Sequence, residues 1–587
     1  MRYHLIPMTI QRNLAVFLAL ALAACAKTPP KSVSPTPAPE PTKAASSIRF
    51  EDVTKASGVS FVHVNGAAGK KWMPETMGSG VAAFDAAGDG RVDLLFVNGR
   101  WWPGDPKAAQ QPTLSFWKNV TEPGGPIRFE DRTKEAGLAI SLYGMGVAVG
   151  DVNDDGAPDL LITGLDDIRL LVNDGKGHFR DATKGSGLVG SGWGTSAAFA
   201  DFDGDGVLDL FVGQYVNWTP KTDMYCSLDG RTKSYCTPER YNGVSSRLYK
   251  GLGGGKFREI TKEAGIVNPL GKALGVAVRD VDGDGRPDLV VANDTSPNNL
   301  FRNVETVDGI PKFKDVAIEA GVAVGEDGRA RGAMGVAFGD TKNDGGVTLV
   351  VGNFSNEMWS VWSAGPKGDF FVDESVQSGI GRTSLLPLTF SVAFADFDLD
   401  GALDLIGVDG HVETSVQDVQ PTVTYRQPPL LFRGQGAGRF ADVTSQAGAA
   451  FVAPIVGRGL AVADFDGDGR PDVVMTENGG PAHVFRNVSE GAGKAVRLVL
   501  ATSGKNRGAV GARVTCTMGG KKRVDEVSGG DGYLSANERT VVIGLGAAAK
   551  LDAVDVRWPD GTTASAKDLA PGLYKWVEGG GPELVRR

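Results

Sequence analysis

The chain has 587 residues, 41% apolar and 22% charged, which is too long for one small core at roughly 100 to 200 residues per domain and too apolar for a disordered chain. Its 82 glycines, about twice ordinary usage, make turns very frequent, yet no glycine-every-third-residue period exists, which excludes collagen. With 61 basic and 70 acidic residues the net charge is −9, which argues against a partner bound through a nucleic-acid backbone.

The first 24 residues read as an export signal. Arg2 and Arg12 precede Leu14 to Leu22, an apolar run too short for a membrane span of about 20 residues. The run ends in Leu22-Ala23-Ala24-Cys25, which resembles the bacterial lipobox and implies that Cys25 is lipidated and becomes the new N-terminus. Ala26 rather than aspartate follows, which by the same resemblance sorts the protein to the outer membrane. Residues 25–47 are Pro/Ser/Thr-rich, an extended tether rather than a packed segment. Membrane contact is thus expected through acyl chains only.

From residue 48 onward one pattern recurs seven times: a small apolar stretch, an Asp-rich loop, then a β-branched run. Numbered from its first aspartate, the loop carries carboxylates at positions 1, 3, 5 and 9 and glycine at 6. Four copies are complete: Asp201, Asp203, Asp205, Asp209; Asp280, Asp282, Asp284, Asp288; Asp396, Asp398, Asp400, Asp404; and Asp464, Asp466, Asp468, Asp472. The first copy keeps Asp85, Asp89 and Asp93, with Ala87 at position 3, and the second offers Asp151, Asn153, Asp155 and Asp159. The fifth has Asp340 and Asp344 beside Lys342 and Thr348 and is expected to be empty.

Oxygen ligands at 1, 3, 5 and 9, a carbonyl near 7 and a sharp turn at 6 suit a hard cation, calcium rather than zinc. An EF-hand is excluded because position 12 is Val212, Val291, Gly407 or Met475 instead of glutamate. The expected complement is about four to six Ca²⁺ ions. Without metal, the clustered carboxylates should repel one another by several kcal/mol.

Two signatures keep step with the loops. Aromatic-x-Asp/Glu segments ending in glycine begin at Phe50, Phe129, Phe179, Phe257, Phe313 and Phe440, with a looser copy at Phe371, and short strands such as Leu300-Phe301-Arg302-Asn303 lie between. Each repeat reads as four short strands, so residues 48–490 are expected to form an all-β, seven-bladed propeller. The strand at Phe50 has no preceding Asp loop and the loop at Asp464 has no such strand after it. The N-terminal strand should therefore complete the last blade.

The long connections away from the Asp loops are the candidate binding face. They comprise residues 55–78 with His63 and Glu75, 98–113 with Trp101 and Trp102, 214–246 with Cys226 and Cys236, and 406–428 with His411. Adjacent exposed tryptophans suit stacking on a sugar or peptide. His63, Glu75 and His411 are weak catalytic candidates, and no Ser/His/Asp order, zinc spacing or phosphate loop accompanies them. Cys226 and Cys236 should form a loop disulfide, leaving Cys516 in a strand. Residues 495–577 alternate apolar and polar, as a small antiparallel β-sandwich would.

Residues 48–490 resemble the FG-GAP/VCBS propellers related to the integrin α head. Phe61-Val62-His63-Val64-Asn65-Gly66, Pro74-Glu75 and Ala292-Asn293-Asp294-Thr295-Ser296-Pro297 are similar to the cartilage acidic protein family. Asn506-Arg507-Gly508, Gly529-Gly530-Asp531-Gly532-Tyr533-Leu534-Ser535 and Trp558-Pro559-Asp560-Gly561 resemble the ASPIC/UnbV domain. The fifth Asp loop departs from that pattern, as does Val408-Asp409-Gly410-His411, where Asn-Gly-His is usual. The resemblance implies calcium binding and extracytoplasmic recognition. The expected protein is a monomeric, lipid-anchored calcium-binding propeller that binds a glycan or protein, with a polysaccharide-active enzyme or a structural lipoprotein as alternatives.

Overall fold

The computed structural model describes residues 48–586, and the export signal, Cys25 and nearly all of the tether lie outside them. Nine four-stranded sheets carry the regular structure of the described residues. Seven are antiparallel meanders that follow the seven Asp-loop repeats. Their first strands are Val81–Phe84, Gly144–Gly150, Gly194–Ala200, Ala273–Arg279, Ala333–Gly339, Thr389–Ala395 and Gly457–Ala463. These define sheets one to seven. Consecutive first strands lie side by side, and Gly457–Ala463 in turn lies against Val81–Phe84, the arrangement of a β-propeller. Phe50–Asp52 pairs with Ala482–Asn487 and supplies the outer strand of sheet seven, as the order of the signatures implied.

The first strands are runs of Gly, Ala and Val because both of their faces are covered. Val81 and Ala83 pack against Ala461 and Ala463 of sheet seven, whereas Ala82 and Phe84 pack against Val147 and Val149 of sheet two. At the outer edge, the Phe-x-Asp-x-Thr motif locks the turn after the fourth strand. Asp131 Oδ1 accepts from the Thr133 amide at 2.9 Å, and Thr133 Oγ1 accepts from the Phe116 amide at 2.9 Å. An asparagine of the third strand ties one sheet to the previous loop: Asn119 donates to the Phe465 carbonyl at 2.9 Å, Asn173 to Ala86 at 2.8 Å and Asn303 to Phe202 at 2.7 Å.

Residues 495–586 form the remaining two sheets around Val496, Leu498, Val514, Val554, Trp558 and Trp576. The expected all-antiparallel pairing is not what forms. Ala495–Ala501 and Gly572–Val577 run parallel, so one of the two sheets is mixed. Short alternating runs do not encode strand direction, which here follows from the connections between them.

Between Lys521–Glu526 and Val541–Gly544 the chain leaves these sheets and enters the propeller axis. Tyr533 and Leu534 are buried there among Met145, Leu274, Met334 and Phe390. The loop backbone pairs with the first strands: the Ala83 amide donates to the Ala536 carbonyl at 3.0 Å, and Gly532 donates to Val336 at 2.7 Å. This close approach requires glycine opposite it. A Cβ on Gly80 would stand 2.1 Å from the Leu534 carbonyl oxygen, and one on Gly459 would stand 3.0 Å from Ser535 Oγ.

Candidate metal centres and the insertion-bearing face

Each Asp loop folds around its own carboxylates. In the third loop Asp201 Oδ2 accepts from the Gly206 amide at 2.8 Å and Oδ1 from Asp205 at 3.1 Å, closing the turn. Asp209, at position 9, takes the Phe202 amide at 3.0 Å and the Gly251 amide of the third strand at 2.8 Å. Positions 1 and 9 therefore hold the loop to its sheet whether or not an ion is present. The fifth loop keeps the first role in Asp340 and replaces the second by a Thr348–Thr341 hydroxyl contact at 2.8 Å.

Four loops bring the carboxylates of positions 1, 3 and 9 together: Asp201, Asp203, Asp209; Asp280, Asp282, Asp288; Asp396, Asp398, Asp404; and Asp464, Asp466, Asp472, with ligand atoms within 4.8 Å of one another. Such clusters could hold a metal ion, and their donors are all oxygen. Asp280 and Asp464 each keep one buried carboxylate oxygen without a hydrogen-bond partner. Burial pushes Asp201 up to about 6 and Asp396 and Asp464 up to about 7, with neighbouring carboxylates adding to the rise. Asp209, Asp288, Asp404 and Asp472 are pushed well above the ordinary range by burial. The donor set thus disfavours its own negative charge and fits a cation.

The loops nevertheless have basic neighbours that the sequence reading missed. Lys250 pairs with Asp203 and Asp205, Arg302 with Asp282, Arg433 with Asp398 at 2.5 Å and Asp400 at 2.8 Å, and Arg486 with Asp466 at 2.7 Å. The expected repulsion is offset in part by one cation per loop. Each of these residues follows the aromatic residue of the third strand, at the x of Leu-Phe-x-Asn or of its variants Leu248-Tyr249-Lys250-Gly251, Leu431-Phe432-Arg433-Gly434 and Val484-Phe485-Arg486-Asn487, which was the available signal. The first loop differs in that Asp89 faces both Arg91 and Lys118, and the second in that Asn153 contributes an amide beside Asp151, Asp155 and Asp159. In the fifth loop the charges are exchanged: Lys342 pairs with Glu374 at 2.8 Å.

Residues 495–586 cover this face. Arg497 pairs with Asp464, Arg557 with Asp280 at 2.5 Å and Arg523 with Asp396 at 3.8 Å, while the Val524 amide donates to Asp340 at 3.0 Å. The Asn506 amide reaches Asp154 at 2.8 Å.

On the opposite face the long insertions converge. Cys226 and Cys236 are disulfide-bonded. Beside them the Tyr235 hydroxyl donates to Glu75 at 3.0 Å, the Tyr235 amide to Glu413 at 2.9 Å, and Lys71 bonds Glu413 at 2.8 Å. Trp102 is buried, stacked on Tyr143 with ring centroids 4.5 Å apart, and Trp101 lies under Lys107. The expected exposed tryptophan pair is therefore not a stacking platform; Trp102 packs the floor of its insertion. Val62, Tyr225, Leu228, Leu270, Leu386 and Val419 are among the exposed apolar side chains of the connections on this side.

The catalytic candidates are buried and not joined. Glu75 takes its hydrogen bond from Tyr235, and burial raises it to about 7. His63 Nδ1 accepts from the Gly479 amide at 3.1 Å, and His411 Nδ1 from Glu413 at 3.0 Å. Burial, reinforced by the Arg458 charge, lowers His63 to about 3, and burial lowers His411 to about 4.

Family models agree with this anatomy. The FG-GAP-like repeat matches residues 151–212, 227–291, 280–351 and 422–475, the FG-GAP repeat matches 456–495, and the ASPIC and UnbV model matches 502–578. The chain is an FG-GAP repeat protein with a C-terminal ASPIC/UnbV domain. Among curated relatives, Cartilage acidic protein 1 of Mus musculus is 28% identical over 317 residues, 53% of this chain and 45% of the mouse protein. Its Homo sapiens counterpart is 28% identical over 324 residues, 54% and 45%. The match thus spans less than half of these relatives. Among solved structures, the BP39L lectin from Burkholderia pseudomallei is 13% identical, covering 70% of this chain and 96% of its own, with a TM-score of 0.41. An Agrocybe aegerita lectin is 16% identical, covering 59% and 80%, with a TM-score of 0.32. At these scores neither structure bears on the ligand of the FG-GAP repeats. Among the described residues no helix is long and apolar enough to cross a membrane.

Proposed function

We propose that the protein is an exported, lipid-anchored, calcium-binding recognition module whose insertion-bearing face binds a glycan or protein partner. The observation that carries this reading is the division of labour between the two faces. The Asp-loop face is covered by residues 495–586, whereas the opposite face gathers the insertions around residues 55–78, 98–113, 214–246 and 406–428 and presents the exposed side chains of Tyr225, Leu228 and Leu270. Calcium in the four carboxylate clusters would stiffen the covered face and leave recognition to the other. The oxygen-only donor sets and the two unpartnered carboxylate oxygens support that assignment. A disulfide in the largest insertion fits an oxidising compartment, and Cys25 supplies the anchor.

The test is a glycan and secreted-protein binding screen on the mature protein, with Tyr225→Ala and Cys226→Ala as variants. Tyr225, next to the disulfide's Cys226, is 64% exposed, so its loss should weaken binding with little change in stability. Opening the loop should cost about 2 to 3 kcal/mol on the chain-entropy model and also weaken binding. A ligand bound equally by both variants and the parent would place recognition elsewhere.

A further inference from the structure

Residues 495–586 meet the four complete Asp loops in two different ways. In the fourth and seventh loops they hold the position-1 aspartate at both its amide and its carboxylate. Glu526 accepts the Asp280 amide at 3.3 Å and Arg557 bonds Asp280 Oδ2 at 2.5 Å, with Arg513 3.9 Å from the same oxygen. In the seventh loop Glu538 accepts the Asp464 amide at 3.0 Å and Arg497 bonds Asp464 Oδ2. Among the described residues the third and sixth loops have no such clamp. Lys505 reaches the Asp205 carbonyl at 3.1 Å instead of a carboxylate, and Arg523 stays 3.8 Å from Asp396 while bonding Asp525 at 2.8 Å.

The clamp changes the loop beneath it. In the other five loops Oδ1 of the position-1 aspartate accepts the position-5 amide: Asp89 donates to Asp85, Asp155 to Asp151 and Asp205 to Asp201, each at 3.1 Å, Asp344 to Asp340 at 3.3 Å and Asp400 to Asp396 at 3.0 Å. In the fourth and seventh loops that amide bonds position 3 instead, Asp284 to Asp282 at 3.2 Å and Asp468 to Asp466 at 3.1 Å. Oδ1 of Asp280 and of Asp464 is left buried without a partner, on side chains only 4% and 9% exposed.

The cations around the loops are distributed to match. In the fourth loop positions 1, 3 and 5 each face their own arginine, Arg557, Arg302 and Arg286, and in the seventh Arg497, Arg486 and Arg470. In the third and sixth loops one cation spans positions 3 and 5, Lys250 and Arg433 respectively. Two cations drawn to one buried carboxylate repel each other, so a metal ion and a guanidinium that share Asp280 or Asp464 bind at each other's expense.

We propose that the four clusters are two functional pairs: the third and sixth loops hold calcium tightly, whereas the fourth and seventh hold it weakly, in exchange for the Arg557 and Arg497 clamps that dock residues 495–586. This rests on the calcium assignment above. The tight pair stiffens the covered face, and the weak pair makes the docking of residues 495–586 answer to calcium concentration. Because linkage is reciprocal, the factor by which a clamp lowers calcium affinity is the factor by which calcium weakens that clamp.

The experiment is calorimetric calcium titration of the full-length protein after treatment with chelator, with bound metal counted by elemental analysis, for the parent, Arg497→Gln and Arg557→Gln. Each variant should tighten one weak site by about 5- to 150-fold, the range for linked sites, and leave the tight sites unchanged. Should either variant fail to fold, crystals of the parent grown in chelator and in calcium decide the same question: Arg497 and Arg557 should lie on Asp464 and Asp280 in chelator and off them in calcium. A parent that binds no calcium overturns the calcium assignment and this proposal together. Calcium bound with equal affinities in parent and variants, weaker binding in the variants, or arginines that keep their carboxylates in the calcium-loaded crystal overturns the exchange alone.

Discussion

Replacing Asp209 and Asp203 separately distinguishes the two jobs of an Asp loop. Asp209 has no solvent exposure and accepts two backbone amides, Phe202 at 3.0 Å and Gly251 at 2.8 Å. Asp209→Ala leaves both N–H groups buried and unpaired at about 1 to 3 kcal/mol each, so a loss of about 2 to 6 kcal/mol is expected with no metal present. Asp203 accepts one long amide bond, from Asp205 at 3.2 Å, and pairs with Lys250. The Asp203 carboxylate is buried, but Lys250 keeps Asp205 as a second partner, so Asp203→Ala should cost about 1 to 3 kcal/mol in chelator, less than Asp209→Ala. In calcium at a hundredfold excess over Kd, one site adds about 2.7 kcal/mol, and both variants should forfeit that increment. Asp340→Ala removes bonds from Asp344, Gly345 and Val524, so it should destabilise in either buffer while leaving the calcium increment intact. Urea unfolding followed by tryptophan fluorescence, in chelator and in calcium, measures all four terms. The reasoning fails if Asp209→Ala matches the parent in chelator, or if Asp203→Ala keeps the whole calcium increment.

Two further outcomes follow from the axis and the insertion face. Gly275→Ala places a Cβ 2.1 Å from the Met334 carbonyl, so it should destabilise by about 1 to 3 kcal/mol and increase proteolysis of residues 528–540; an unchanged unfolding midpoint would contradict the packing. Glu75 is raised by burial from 4.5 to about 7, so its contribution to stability is complete below pH 4.5 and is lost as pH rises through 7. Glu75→Gln keeps an acceptor for Tyr235 and should flatten the fall in stability across that window, giving a more stable protein than the parent at pH 8. A parallel pH profile for the two proteins would show that Glu75 is not the group responsible.

The periodic features were legible in sequence because each is local. Asp at positions 1 and 9 closes a loop within one hairpin, and Phe-x-Asp-x-Thr caps one turn, so both leave a repeating imprint. The pairing of Phe50–Asp52 with Ala482–Asn487 could be read from the order of the motifs. What could not be read depends on residues brought together from far apart. Gly80, Gly275 and Gly459 announce a close approach in their strands without naming Tyr533, Leu534 or Ser535 as what approaches. Trp101 and Trp102 read as an exposed pair because their burial is supplied by Tyr143 and Lys107, and the second of these joins a loop with no periodicity. Arg302 and Arg486 occupy a position that looked variable until the loop of the same sheet was seen folded back over it.

The loop formed by residues 528–540 makes the order of assembly unusual. The strands that line the axis are all translated before it, and the partner of Phe50–Asp52 is itself among the last strands of the propeller. Both the outer strand of sheet seven and the filling of the axis therefore wait for the end of the chain. A nascent molecule emerging N-terminus first carries six sheets with a glycine-lined, unfilled centre, exposing strand edges and apolar side chains that are buried in the finished protein. Folding is completed only when the strands from Ala482 to Val577 have been made, so premature termination should yield aggregates rather than a shorter propeller.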